Sequence, residues 1–353
     1  MKKQFLLVYL LVASLSAPAQ TVDSVDSFIR QEMKKQAIQG LSMAVVRDGK
    51  VIKAQGYGLA NVEWQQPATA ETVYKIGSVS KQFFATGILL LAEEGKLSVR
   101  DLVHRFFPDA PESWRGITLH HLLSHSSGLI RECPGFDPLK VKPDSVLIKT
   151  AYPAPVLFKP SQKWAYCNVG YFMLAEIISR VSGQTWAQYI GDKLFAPLRM
   201  TDTRVTTTSE LIPRRAAGYS LVGNALKNSL EYVAVRPSGA FISTVLNLAK
   251  WEAALQSNAV LSQKSNSLLW TPVIETGSKM PDGTPINYGY GWTVATQNNH
   301  KMVSHGGSLP GFSAQYIRYP DDNVAIILLT NADGVRWVDF TAKLGEVYLK
   351  ESK

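Results

Sequence analysis

The strongest constraint on the fold is that β-rich segments stand at both ends of the chain, with a long region between them. Near the N-terminus, segments 41–46 and 51–54 flank an Asp-Gly turn and predict a hairpin. Near the C-terminus, segments 311–319 and 323–330 flank a Pro-Asp-Asp turn and predict another. Hairpins that are distant in sequence can join into one antiparallel sheet, so we expect the two ends of the chain to meet.

Helical spacing of apolar residues predicts most of the rest of the fold. The predicted helices cover 22–38, 78–94, 171–181, 185–195, 245–255 and about 335–350. The segment 78–94 is apolar nearly all round and is therefore expected to be buried. Lys81, Glu93 and Glu94 leave its apolar run too short for a membrane span.

The predicted fold class is therefore α/β (α+β), an antiparallel sheet built from N- and C-terminal strands, flanked by helices and carrying a mostly helical inserted lobe. We expect a single domain over 20–353. Its α/β lobe is predicted at about 20–75 and 286–353, and its helical lobe at about 76–285. A cleft is expected where the two lobes meet.

Residues 1–19 are predicted to be a secretory signal peptide. Lys2 and Lys3 precede an apolar run at 5–12, and an Ala-Pro-Ala cleavage site ends at Ala19. An uncleaved anchor is the alternative. Because no cysteine follows the apolar run, a lipid anchor is not expected. The protein is therefore predicted to be periplasmic or secreted, with no stable membrane anchor.

The formal net charge of +9 is scattered along the chain. Lysines and arginines form no run, and they are not interleaved with aromatic residues, so no nucleic-acid partner is expected. A basic balance favours anionic surfaces such as a cell wall, but it names no particular partner. The expected partner is a small-molecule or peptide substrate.

The segment Ser78-Val79-Ser80-Lys81 places a lysine one helical turn after a serine. A serine hydroxyl is a poor nucleophile until a base removes its proton. Lysine can be that base where burial and a helix N-terminus disfavour its ammonium form. The alternative is a capping serine with a solvated lysine. Since the helix is predicted to be buried, an unused charge there would be costly, which favours a nucleophile and base.

Tyr166-Cys167-Asn168 forms a second candidate group. A tyrosine near a lysine can act as general base or acid, and the asparagine can donate a hydrogen bond to Lys81 or to a substrate carbonyl. The alternative is an ordinary tyrosine beside a turn asparagine. Cys167 could form a disulfide with Cys133 in an oxidising compartment, but its place in this motif favours two unpaired thiols.

His305-Gly306-Gly307-Ser308 is the third group. The glycines would let a substrate backbone approach closely, and the N–H of Ser308 could be an oxyanion donor. The alternative is a glycine-rich turn between strands. Because Pro310 stands where a G-x-S-x-G pattern needs its last glycine, a nucleophile elbow is not predicted.

His121 and His125 have the i, i+4 spacing of a zinc site. The glutamate that should follow the first histidine is missing, and no third ligand cluster accompanies them. We therefore interpret them as structural histidines at a helix end and expect no metal.

In this order, the three groups resemble the serine β-lactamase and penicillin-binding-protein superfamily. The branch that they resemble contains class C β-lactamases, D-stereospecific peptidases and carboxylesterases. That family uses S-x-x-K, then Y-x-N, then K-T-G or a His/Trp-x-Gly variant. The segment 122–129 (LLSHSSGL) also resembles the family signature LLSHTSGL, and the resemblance covers about 25–345.

The resemblance implies a set of roles. Ser78 would attack a carbonyl and form an acyl-enzyme, while Lys81 and Tyr166 move the proton. Asn168 would hold Lys81 and the substrate amide. The N–H groups of Ser78 and Ser308 would form the oxyanion hole, and water would release the acyl group. No metal or organic cofactor is implied.

Two departures from the family pattern affect the expected substrate and loop structure. His305 replaces a charged lysine and is largely neutral near pH 7, so esters and D-amino-acid amides or peptides are favoured over β-lactams, which carry a carboxylate. Substrates related to peptidoglycan fit an exported member. Ser161 replaces a common glycine and is expected to alter the loop before Tyr166. A β-lactamase and a slowly acylated penicillin-binding or sensing module remain the alternatives.

Overall fold

The structure is a computed structural model that describes residues 24–350. The predicted signal peptide lies outside the described residues. The strands are β1 Gly40–Arg47, β2 Lys50–Asn61, β3 Gln66–Pro67, β4 Tyr74–Lys75, β5 Arg204–Val205, β6 Tyr219–Val222, β7 Ala225–Asn228, β8 Phe241–Ser243, β9 Ile274–Lys279, β10 Pro285–Tyr288, β11 Thr293–Gln297, β12 His300–Leu309, β13 Phe312–Tyr319 and β14 Val324–Thr330. The helices are α1 Ser24–Lys35, α2 Lys81–Glu93, α3 Leu119–Leu123, α4 Asp144–Lys149, α5 Asn168–Ser182, α6 Trp186–Ile190, α7 Val245–Gln256, α8 Gln263–Leu269 and α9 Val338–Lys350.

The main sheet joins the two ends of the chain. Its strand order is β3-β2-β1-β14-β13-β12-β11-β10-β9, and neighbouring strands run antiparallel. β1 pairs with β14 along its length, from Leu41 opposite Thr330 to Arg47 opposite Val324. The predicted fold class, an antiparallel sheet of N- and C-terminal strands flanked by helices, is confirmed.

Helices cover both faces of the sheet, and successive residues of a strand point to opposite faces. Met43 packs with Ile29 of α1 and Phe340 of α9 on one face. On the other face, Ala44 belongs to a larger core that contains Phe83 of α2. Burial on both sides explains why β14 reads as the continuous apolar run VAIILLT.

Two boundaries differ from the sequence-based expectation. A 3-10 turn over Gly77–Ser80 precedes α2, which therefore begins at Lys81 rather than at Ser78. β5 to β9 lie in a region expected to hold mostly helices and loops, and β9 pairs with β10 at the edge of the main sheet. β9 is short and mostly exposed, so it lacks the apolar alternation that predicts strands. Within 24–350, no helix is both long and apolar enough to cross a bilayer.

Candidate active site

Ser78 and Lys81 meet at the junction between the 3-10 turn and α2. Lys81 Nζ lies 3.1 Å from Ser78 Oγ and donates a hydrogen bond to the backbone oxygen of Ser238 at 2.9 Å. Neither partner is a carboxylate. The Lys81 side chain is fully buried, whereas Ser78 is partly exposed to the cleft.

Burial lowers the pKa of Lys81 far below the usual value of 10.5, and the positive charge of Arg236 lowers it further. Two aromatic rings border the amine, with centroids 4.7 Å away for Tyr166 and 5.2 Å away for Tyr171. This environment favours the uncharged amine, whose lone pair can accept a proton.

The Tyr166 side chain contacts both Ser78 and the Lys81 amine. Burial raises the pKa of Tyr166, and its hydrogen bond with the Ser78 side chain acts in the opposite direction. The phenol is therefore protonated at neutral pH. Ser78 thus has a buried amine and a protonated phenol beside it, an arrangement that lets a proton leave the serine and return to another atom.

The structure places Asn168 differently from the expectation. Its Nδ2 donates to Glu132 Oε1 at 2.6 Å, and Lys81 is bonded instead to Ser78 and Ser238. The expected hydrogen bond from Asn168 to Lys81 is therefore not found among the described residues. The Asn168 amide donates to Glu132 because a carboxylate is a stronger hydrogen-bond acceptor than an amine.

A charged group that the sequence reasoning missed surrounds Asn168. Glu132 forms an ion pair with Arg236, and Arg131 lies 3.6 Å from the same carboxylate. The Arg131 guanidinium also lies 5.1 Å from the centroid of the Tyr166 ring. Arg131 and Glu132 lie just after the segment 122–129, and this position in the sequence could have identified them as candidate site residues. The sequence gives no indication of the ion pair with Arg236, because it joins residues far apart in the chain.

His305 lies at the cleft on β12, and the protein itself uses both of its ring nitrogens. A carbonyl can only accept, so Nδ1–H donates to Gly306 O at 2.6 Å, and Nε2 accepts from the Tyr288 hydroxyl at 2.9 Å. Burial lowers the pKa of His305 to about 3, although its hydrogen bond to the Gly306 oxygen acts in the opposite direction. The ring is neutral at pH 7 and offers no cation to a substrate carboxylate.

The glycines of the third group let β12 approach the serine turn. A Cβ on Gly307 would lie 2.0 Å from the backbone oxygen of Ile76. A Cβ on Gly77, whose φ is +51°, would lie 2.7 Å from the Ser308 nitrogen. This close backbone packing sets the Ser308 amide beside Ser78, as an oxyanion site formed by these two residues requires.

The cysteines and Ser161 have structural explanations. Cys133 and Cys167 are both buried and unpaired. Cys167 caps α5, since its Sγ accepts from the Gly170 amide at 3.3 Å. Ser161 adopts φ +66°, the backbone that glycine would favour, and its hydroxyl lies 2.9 Å from His121 Nε2. The serine thus adopts a backbone conformation that glycine would favour at this position.

The two candidate zinc histidines have separate environments. His121 caps the start of α3 through Thr118, whereas His125 is fully buried behind Tyr166. Among the described residues, no group of three or more His, Cys, Asp or Glu side chains could hold a metal ion.

These side chains line one cleft of about 690 Å³, a size typical of small-molecule sites. The cleft is bordered by most of the sequence-predicted residues, namely Ser78, Tyr166, Asn168, His305, Gly306, Gly307 and Ser308. Lys81 is buried beneath its floor. Trp164 and Trp337 complete its apolar walls. The sequence-based candidates are thus brought together, although they come from three distant segments.

Residues 25–343 match the protein-family model described as Beta-lactamase. The chain belongs to the Beta-lactamase family. This membership confirms the predicted resemblance and the predicted enzyme class, the serine hydrolases.

Individual proteins similar to this chain are consistent with its membership of the Beta-lactamase family. It is 31% identical over 306 residues to "Penicillin-binding protein 4*" of Bacillus subtilis, which covers 81% of this chain and 66% of that protein. The octameric penicillin-binding protein homologue from Pyrococcus abyssi has a TM-score of 0.84 at 28% identity, covering 93% of this chain and 77% of that one. The D-amino acid amidase from Ochrobactrum anthropi SV3 shares the fold, with a TM-score of 0.78 at 23% identity over 94% and 98% of the two chains.

Proposed function

We propose that the protein forms an acyl-enzyme at Ser78 and hydrolyses an ester or a D-amino-acid-containing amide or peptide. The observation that carries this proposal is the Lys81 amine, which is buried, lies 3.1 Å from Ser78 Oγ and has a pKa lowered well below its usual value by burial. Such an amine can take the hydroxyl proton as the oxygen attacks a carbonyl.

The proposed reaction is balanced in protons. Lys81 accepts the Ser78 proton as the C–O bond forms, and the amides of Ser78 and Ser308 stabilise the oxyanion. The proton then passes through Tyr166 to the leaving amine or alcohol as the scissile bond breaks. A water molecule attacks the acyl-enzyme by the same path in reverse, and the Ser78 hydroxyl is restored.

Two observations support an ester or D-amino-acid substrate. His305 is neutral and bonded to the protein, so the site lacks the third-motif cation that a β-lactam carboxylate would use. The fold is also shared with a protein described as a D-amino acid amidase.

The arginines keep β-lactam hydrolysis as the second candidate. Arg131 and Arg236 face a single carboxylate, Glu132, so this wall of the cleft carries a net positive charge. Either guanidinium could bind a substrate carboxylate in place of the lysine that His305 replaces.

We also propose that the protein acts outside the cytoplasm, where peptidoglycan peptides supply D-amino acids. Support comes from the basic and apolar pattern of residues 1–19. N-terminal sequencing of the protein from a native-type host tests this, and an intact N-terminus on cytoplasmic protein would contradict it.

Steady-state kinetics on four substrates test the function. Wild type and Ser78→Ala would be compared on a short-chain nitrophenyl ester, a chromogenic cephalosporin and the anilides of D- and L-alanine. We expect Ser78-dependent turnover of the ester and of the D-anilide in preference to the L-anilide. Equal rates for wild type and Ser78→Ala on all substrates would overturn the proposal. Cephalosporin turnover far above the others would favour the second candidate.

A further inference from the structure

The segment 122–129 contributes none of the reacting groups, yet one of its residues is unusually constrained. His125 is fully buried and adopts φ +57°, in the left-handed region that costs a non-glycine residue about 1 kcal/mol. A strained backbone at a buried histidine persists only where surrounding contacts determine it.

Those contacts include hydrogen bonds to the residue before Tyr166 and to the residue after it. The backbone oxygen of His125 accepts a hydrogen bond from the Ala165 amide at 2.9 Å. Its ring Nδ1 accepts another from the Cys167 amide at 3.1 Å. One residue therefore binds the backbone directly before and directly after the tyrosine.

The imidazole also contacts the tyrosine ring itself. The centroids of His125 and Tyr166 are 4.3 Å apart, with the rings tilted by 43°. The Tyr288 ring also packs against the His125 imidazole, with their centroids 4.8 Å apart. Because Tyr166 in turn borders the Lys81 amine, a shift of the histidine ring would displace the phenol relative to Ser78.

The hydrogen bonds define the form of the imidazole. Since Nδ1 accepts from an amide, the ring proton of the neutral form is on Nε2. Burial lowers the pKa of His125 well below its usual value, and the positive charge of Arg131 acts in the same direction. His125 is therefore a neutral acceptor and not a proton carrier. Within 24–350 it is not among the residues that line the cleft.

We propose that His125 is a positioning residue that holds Tyr166 against Ser78 and Lys81 through its backbone oxygen, its Nδ1 and its ring face. The neighbouring residue also joins the segment 122–129 to the loop before Tyr166, because the Ser126 backbone oxygen accepts from the Ser161 amide at 2.9 Å. The role of Tyr166 in proton transfer rests on the proposed function, whereas the enclosure of its backbone does not.

Two variants separate the contributions of the acceptor and of the ring. His125→Asn keeps a side-chain acceptor and tolerates the left-handed backbone, but it removes the ring from Tyr166. His125→Phe keeps a ring and leaves the Cys167 amide without an acceptor. His104→Asn, which changes a partly buried histidine bonded to Ala110, is the control for general destabilisation.

A double-mutant cycle with Tyr166→Phe is the test. We expect each His125 variant to lower kcat by about 10- to 100-fold, as for a small misplacement of a reacting group. KM should change by less than about threefold. In the Tyr166→Phe background the same changes should cost little, because the group being positioned is already absent. An additive cycle, or an equal loss of kcat in His104→Asn, would overturn the proposal.

Amide hydrogen exchange tests the positioning claim independently of turnover. His125→Phe should increase exchange at Cys167, and His125→Asn should leave that amide largely protected. Unchanged exchange at Cys167 in His125→Phe would overturn the claim even if the protein had no measurable hydrolase activity. Absence of Ser78-dependent turnover in wild type, with the exchange as expected, would contradict the proposed function alone.

Discussion

At the scale of single residues, the chemistry depends on an amine that the fold keeps out of water. Lys81 is flanked by two phenol rings and is bonded to a hydroxyl and a carbonyl oxygen. A carboxylate partner would have stabilised the ammonium form and removed the base. The S-x-x-K spacing identifies the pair, but only the packing shows that the amine is buried without a carboxylate partner, which favours its uncharged form.

Lys81→Met should abolish most turnover while leaving the fold intact. Methionine fills a similar volume without the amine, so we expect kcat/KM to fall by about 10²- to 10⁴-fold, the usual contribution of a general base. The Ser238 carbonyl loses its donor, which costs about 1–3 kcal/mol, while a buried amine no longer has to be desolvated. Circular dichroism and steady-state kinetics measure the two effects. Retention of wild-type kcat would contradict the assigned role.

The same variant should reveal the lowered pKa of Lys81 through stability. Below pH 10.5 the unfolded chain carries a proton on this amine and the native state does not, until the pH reaches the folded pKa. Unfolding therefore takes up a proton, and wild-type stability at this site falls as the pH falls. We expect the Tm difference, Lys81→Met minus wild type, to increase as the pH is lowered from about 10 to about 7. A difference independent of pH would contradict a lowered pKa.

At the scale of elements, the active site forms where β12 packs against the turn over Gly77–Ser80. The sequence predicts a helix, a glycine-rich strand edge and their chemistry. It does not predict the 3-10 turn, because a helix and a 3-10 turn share the same apolar spacing over one turn. Nor does it predict that Glu132 holds Asn168, since that bond depends on how two loops meet.

Alanine substitutions at two glycines test this contact. A Cβ on Gly307 would clash with the backbone at Ile76, whereas a Cβ on Gly116, which does not line the cleft, would meet no atom within 4 Å. Gly307→Ala should separate β12 from the serine turn and lower kcat by about 10²-fold, in the range for losing one oxyanion donor. Gly116→Ala is the control and should change kcat by less than about threefold. Equal effects would show that the close approach at Gly307 is unimportant.

At the scale of the whole molecule, the terminal hairpins were the predictable part. Their turn residues and β-rich runs indicate both strands and the pairing of distant ends. The edge strand β9 and its neighbour β10 were not predictable, since both are short and β9 is mostly exposed. The same holds for the links between helices and sheet, which include a fully buried ion pair between Glu252 of α7 and Arg318 of β13.

That ion pair should contribute to stability without affecting the chemistry. Glu252 also accepts a hydrogen bond from the Tyr316 hydroxyl at 2.8 Å, so Glu252→Gln leaves the Arg318 charge buried and unpaired. We expect a loss of about 3–5 kcal/mol in the free energy of unfolding, with kcat unchanged. Glu112→Gln removes the exposed pair with Arg115 and should cost less than about 1 kcal/mol. Denaturant unfolding measures both, and equal losses would contradict the buried pair's role.

The central claim is that Ser78 is a nucleophile activated by an uncharged Lys81. Intact-mass spectrometry with peptide mapping, after brief exposure to a fluorophosphonate, tests it most directly. The predicted result is a single adduct on Ser78 in wild type, none in Ser78→Ala, and labelling slowed by about 10²-fold or more in Lys81→Met. An adduct on a different residue, or labelling of Lys81→Met at the wild-type rate, would contradict the claim.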